Sequence, residues 1–104
     1  MESIVTVVKE EDILKVNIKG KLDAVKAPEL MDEFKKYMNQ GIGKIVFYGE
    51  NMEYMSSAGL RTLIFAKQKL GSNVEVYLIK PQEAVLEVIN MSGLDSFLKI
   101  ADTF

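Results

Sequence analysis

What constrains this chain most is the spacing of its apolar residues, which switches between two periods. From Ile13 to Ile18, Leu14, Val16 and Ile18 alternate with Ile13, Lys15 and Asn17. A period of two places each set on its own face of a half-buried strand. From Leu30 the period lengthens. Leu30, Met31, Phe34, Tyr37 and Met38 fall on one helix face, and Glu29, Asp32, Glu33, Lys35 and Lys36 cover the rest. Ile45-Val46-Phe47-Tyr48 shows no alternation, the pattern of a strand covered on both faces. Leu60, Leu63, Ile64 and Leu70 return to helical spacing, and Val74, Val76, Leu78 and Ile79 to a strand. Val85, Val88 and Ile89 give a third helix its inner side. Ile4 to Val8 is a further β-branched strand, turned into the next at Glu10-Glu11-Asp12. The order is ββαβαβα, followed by a tail of Leu94, Phe97, Leu98 and Ile100 that packs back as a short edge strand. Strands alternating with helices after a hairpin specify an α/β fold. The expectation is a small mixed β-sheet with three helices mainly on one face, joined by right-handed crossovers.

Glycine and proline punctuate this pattern. Pro28 suits the first position of the first helix, where a missing N–H costs nothing. Gly41 is expected to stop that helix, and Gly71 the second. Ser72-Asn73 turn the chain, Pro81 opens the third helix, and Asn90-Met91-Ser92-Gly93 closes it. Residues 49–53 read as a loop.

Composition excludes several kinds of chemistry. The chain has 104 residues, enough for one domain over residues 1–104, with 48% hydrophobic residues to fill a core. It has neither cysteine nor histidine. Disulfides, thiolate nucleophiles, His-ligated zinc and a Ser-His-Asp triad are therefore ruled out. Net charge is −2, lysines are interspersed with acids, and Arg61 is the single arginine. That is no nucleic-acid face. No apolar run nears the ~20 residues of a membrane span, and Met1-Glu2-Ser3-Ile4 does not begin a signal peptide. A cytoplasmic monomer that touches neither membrane nor nucleic acid, and needs no cofactor or metal, is the expectation.

The stretch richest in chemistry is Tyr54-Met55-Ser56-Ser57-Ala58-Gly59-Leu60-Arg61, at the start of the second helix. A helix start leaves about four N–H groups unpaired and carries partial positive charge. A serine oxygen accepts one of those bonds, and phosphate is also favoured there. Read locally, the stretch is a well-capped helix start or a phosphate-ready hydroxyl site. Met52 and Met55 are expected in the core as gap fillers.

Three separated segments resemble the STAS family, and in particular its single-domain anti-sigma factor antagonists. Gly20-Lys21-Leu22-Asp23 with Ala27 and Leu30 is similar to the family's entry to the first helix. Tyr54 to Leu60 is similar to its central serine signature. Asn90-Met91-Ser92-Gly93-Leu94 with Phe97 and Ile100 is similar to its closing segment. The resemblance implies a protein-interaction switch without enzyme activity. Its partner would be an anti-sigma factor that is also a serine kinase; binding it releases the sigma factor. The kinase phosphorylates the serine two residues before the glycine, here Ser57, and a metal-dependent serine phosphatase reverses this. The implied partner surface comprises Asp23, Ser56, Ser57, Ala58, Gly59 and Arg61.

Two departures from the family pattern stand out. Ser56 replaces a common Asp, which makes it a rival phosphoacceptor or the helix cap. Tyr48 stands where many members have Asp or Asn. Asp23 either braces its loop or lies beside Ser57, and Arg61 is either solvated or paired with an acid or a partner. Gly59 serves helix packing and partner approach. The alternative function is a STAS regulatory module of a transport or secretion system, without a serine switch. A nucleotide-binding STAS domain ranks below it, because no G-x-x-x-x-G-K-[ST] loop is present. An esterase ranks lowest, because no base is available.

Overall fold

The structure, a computed structural model, describes residues 3–71 and 73–104. Met1 and Glu2 of the N-terminal segment, and Ser72 of the turn expected after the second helix, lie outside the described residues. Strands β1 (Ile4–Glu10) and β2 (Ile13–Leu22) form the opening hairpin. Then come α1 (Ala27–Lys35), β3 (Lys44–Tyr48), β4 (Met52–Met55), α2 (Ser57–Leu70), β5 (Glu75–Ile79) and α3 (Glu83–Ser92). A single 3-10 turn, Leu94–Ser96, leads to the edge strand β6 (Lys99–Ala101). The strand order is β1-β2-β3-β5-β6, and β4 pairs with β2 off this path. The sheet is mixed. β1 runs antiparallel to β2, and the pairings β2–β3, β3–β5 and β5–β6 are parallel.

Alternation in β2 survives folding intact. Leu14, Val16 and Ile18 are almost fully buried and join the core with Ile45, Phe47, Leu78, Leu30, Phe34 and Leu63. Phe34 of α1 meets Phe47 of β3 edge to face, with ring centroids 6.0 Å apart. Val46 is fully buried too, yet stands outside this core. Its register neighbours are Lys15 and Tyr77, and Phe104 meets Tyr77 edge to face, with ring centroids 5.1 Å apart. The sheet's second face is thus closed locally by side chains of its own strands and the C-terminal residue.

Four expectations needed correction. Met52 and Glu53, read as the end of a loop, join Tyr54 and Met55 in β4. That strand is only four residues long and takes its order from β2, pairing Lys21 with Tyr54 and Leu22 with Met55. α1 stops at Lys35, so Tyr37 is half-buried and Met38 is exposed; Gly41, at φ +72, lies beyond the helix end. α3 starts at Glu83 after an extended Gln82, two residues beyond Pro81. Ile64 is only half-buried, because the inner side of α2 is made by Gly59, Thr62, Leu63 and Ala66.

β2 positions everything that follows. Its first half pairs with β3 and its last three residues with β4, with a register break between Gly20 and Lys21. Gly20 sits at φ +89 and donates its N–H to the Asn51 carbonyl at 2.9 Å. A Cβ there would come within 2.9 Å of the Ser3 hydroxyl oxygen. A glycine is therefore what lets β2 change partners and carry its end, Leu22, to the start of α2.

Candidate functional site: the start of the second helix

Leu22 is the anchor. Its carbonyl accepts the backbone N–H of Ser56 at 3.0 Å. Ser56 has extended backbone, and its Oγ accepts the Gly59 N–H at 3.3 Å while donating a long bond of 3.5 Å to the same Leu22 carbonyl. The Ser56 carbonyl takes the Leu60 N–H at 2.9 Å. Ser56 is therefore the N-cap, and its hydroxyl is used twice. One step on, Ser57 is the first helical residue and is exposed. Among the described residues its hydroxyl takes part in no hydrogen bond. The sequence left open which serine caps, and the backbone answers it.

Gly59 explains why the turn fits so tightly. It is buried, and a Cβ at this position would sit 2.5 Å from the Leu22 carbonyl oxygen and 2.9 Å from Met55 Cγ. Backbone cannot yield as a flexible side chain does, so packing alone demands glycine. Thr62, also buried, turns its hydroxyl back onto the Gly59 carbonyl at 2.6 Å. Met52 and Met55 are in the core as expected.

Asp23 follows Leu22 directly. Its Oδ1 accepts the N–H groups of Val25 at 3.0 Å and Lys26 at 3.3 Å, and its carbonyl takes the Ala27 N–H at 2.8 Å. It braces the turn into α1, the first of the two roles the sequence allowed. Register places it next to Ser56, since Leu22 pairs with Met55. Ala58 is half-buried and Arg61 is exposed. Tyr48 ends β3 opposite Asn17 and Ile79. It lines a small cleft of about 100 Å³ with Asn17, Glu50, Asn51, Ile79 and Lys80, rather than joining β4 or α2.

Sequence reasoning missed two exposed apolar neighbours. Val25, in the turn that Asp23 braces, is 79% exposed, and Tyr54, on β4, is 47% exposed. Tyr54 carried a signal as part of an apolar motif that the fold leaves half outside. Val25 carried none, because a lone β-branched residue in a loop has no period to read. The perturbed titrations lie away from the serines. Lys99 holds the Glu75 carboxyl below its ordinary value through a direct hydrogen bond, on β5 and β6. Glu10 and Glu33 raise the ammonium groups of Lys15 and Lys36 by hydrogen bonding. Among the described residues there is no cluster of three or more His, Cys, Asp or Glu to hold a metal, and no helix long and apolar enough to cross a membrane.

Known proteins resemble this chain in sequence and in fold. The putative anti-sigma factor antagonist BtrV of Bordetella bronchiseptica is 29% identical over 99 residues, covering 94% of this chain and 85% of that protein. The crystal structure of an anti-sigma factor antagonist from Mycobacterium paratuberculosis matches with a TM-score of 0.84 at 22% identity, over 99% of this chain and 88% of that one. The anti-sigma factor antagonist SpoIIAA in its unphosphorylated form matches with a TM-score of 0.83 at 18% identity, over 94% and 88%. The STAS domain model matches residues 5–104, nearly the whole sequence. The chain belongs to the STAS domain family.

Proposed function

We propose that this protein is an anti-sigma factor antagonist that works as a phosphorylatable partner switch in the cytoplasm. Unphosphorylated, it binds an anti-sigma factor that is also a serine kinase, and the sigma factor is released. Phosphorylation of Ser57 ends that binding, and a serine phosphatase restores it. The chain itself catalyses nothing; the kinase brings nucleotide, metal and base. The observation that carries this reading is the division of labour between adjacent serines. Ser56 is committed to the cap, and Ser57 is exposed one residue later. Phosphoryl transfer requires a hydroxyl that can be held in line with the nucleotide. A phosphate adds about −1.5 to −2 charge. On the exposed first residue of α2, that charge disrupts docking without disturbing the helix.

The test is an affinity measurement. The purified chain is titrated into each serine-kinase anti-sigma factor of the source genome, before and after incubation with ATP. Tight binding that is lost on phosphorylation supports the reading. Tight binding to some other partner with no phosphate transferred would favour the unswitched module of a transport or secretion system.

A further inference from the structure

Arg61 and Ile64 are each only partly explained by the helix start. Ser57, Arg61, Ile64 and Gln68 stand at i, i+4, i+7 and i+11, a single stripe along the outer side of α2. The stripe runs from the candidate phosphoacceptor into an open groove of about 300 Å³ between α2 and α1. Its lining is the apolar Met31, Ile64 and Phe65 with the polar Arg61 and Gln68. The lining contains no acid. Arg61 has no salt-bridge partner among the described residues, and Lys69 lies over the Phe65 ring, 5.7 Å from its centroid. The groove thus has an apolar floor with the Arg61 cation in its lining and the Lys69 cation against Phe65, in a chain whose net charge is negative.

We infer that the α1–α2 groove is the slot for a segment of the anti-sigma factor that presents an apolar side chain flanked by carboxylates. This rests on the function proposed above and specifies which surface of the switch does the recognising. The apolar side chain fills the space over Met31, Ile64 and Phe65, and one carboxylate pairs with the planar Arg61 guanidinium. The geometry also says how a phosphate on Ser57 reaches the groove. An acid four residues N-terminal to a base on one helix face is the favourable orientation. Phosphoserine at position 57 draws Arg61 toward itself and takes the guanidinium from the partner's carboxylate.

The experiment is a set of titrations into the serine-kinase anti-sigma factor that binds the wild-type chain. The variants are Arg61→Glu, Lys69→Glu and, away from the groove, Lys80→Glu. All three sites are exposed, and thermal melts check that each variant is folded. Reversal at Arg61 or Lys69 is expected to weaken binding about tenfold or more, as like charges then meet in the contact. Lys80→Glu should bind as wild type does. A second arm crosses Ser57→Asp with Arg61→Gln. The loss caused by Ser57→Asp should be smaller when Arg61 is already gone. Affinities of Arg61→Glu and Lys69→Glu within about twofold of wild type, beside a Ser57→Asp variant that no longer binds, would overturn the groove and leave the switch standing. Failure of the wild-type chain to bind any serine-kinase anti-sigma factor would remove both. A concentration-dependent dimer that Arg61→Glu disperses would assign the groove to a second copy of the chain, and overturn the proposal.

Discussion

The two sides of α2 are built for different purposes. The inner side carries Gly59, Thr62, Leu63 and Ala66, all buried. Three of these are small, which lets the helix axis come close to β2 and β4. The outer side carries Ser57, Arg61, Ile64 and Gln68, none of them fully buried. On the inner side every polar atom is spent: Ser56 Oγ on Gly59 and Leu22, Thr62 Oγ1 on Gly59. On the outer side Ser57 and Arg61 are unspent among the described residues. The lesson is that stability and recognition are separable along one fourteen-residue helix. Substitutions on one side should change the melting curve, and on the other the partner.

The sharpest break of this separation comes from the core beneath. Phe34 is fully buried against Phe47. Phe34→Ala should cost about 3–5 kcal/mol in denaturant melts. A loss below about 1 kcal/mol would mean that the ring is not held in a filled core. Gly59→Ala comes next, because its added carbon meets the Leu22 carbonyl at 2.5 Å. Overpacking of this kind costs about 1–3 kcal/mol and occasionally more. The variant should also shift the α2 amide resonances, since the helix start must lift from β2. An unshifted spectrum and melt would show that α2 is not seated on Leu22.

The inner side was only partly legible in the sequence. Leu63 announced it. Gly59, Thr62 and Ala66 could not, because small residues chosen for close approach look like no hydrophobic stripe. Ile64, a stronger hydrophobe, misdirected the reading, since it belongs to the groove. β4 was invisible for a related reason: its four residues have no period of their own, and pairing with β2 makes them a strand. By contrast, the alternation of Leu14, Val16 and Ile18 and the helical spacing of Leu30 and Phe34 carried straight into the core. The candidate site was legible as a serine pair before a glycine. What spacing could not tell was which hydroxyl the cap would consume, because that depends on where Leu22 ends.

Two gentler variants sharpen the contrast within the serine pair. Ser56→Ala removes the cap and should destabilise the protein by about 0.5–2 kcal/mol. Ser57→Asp should stabilise it slightly, by about 0.3–1 kcal/mol at low salt, because negative charge suits a helix start and the first turn of α2 holds no acid. Thermal melts at two salt concentrations separate these effects, since the charge contribution fades with screening. Equal melting temperatures for Ser56→Ala and wild type would mean the cap bond is not made in solution.

The most direct measurement pairs the two serine-to-alanine variants in one experiment. Each is melted and, in parallel, incubated with the cognate serine-kinase anti-sigma factor and ATP before phosphopeptide mapping by mass spectrometry. Ser57→Ala should melt like wild type and take up no phosphate. Ser56→Ala should melt earlier and still be phosphorylated, at Ser57. Phosphate found on Ser56 of the wild-type chain, or undiminished phosphorylation of Ser57→Ala, would contradict the division of α2 into a side that holds and a side that signals.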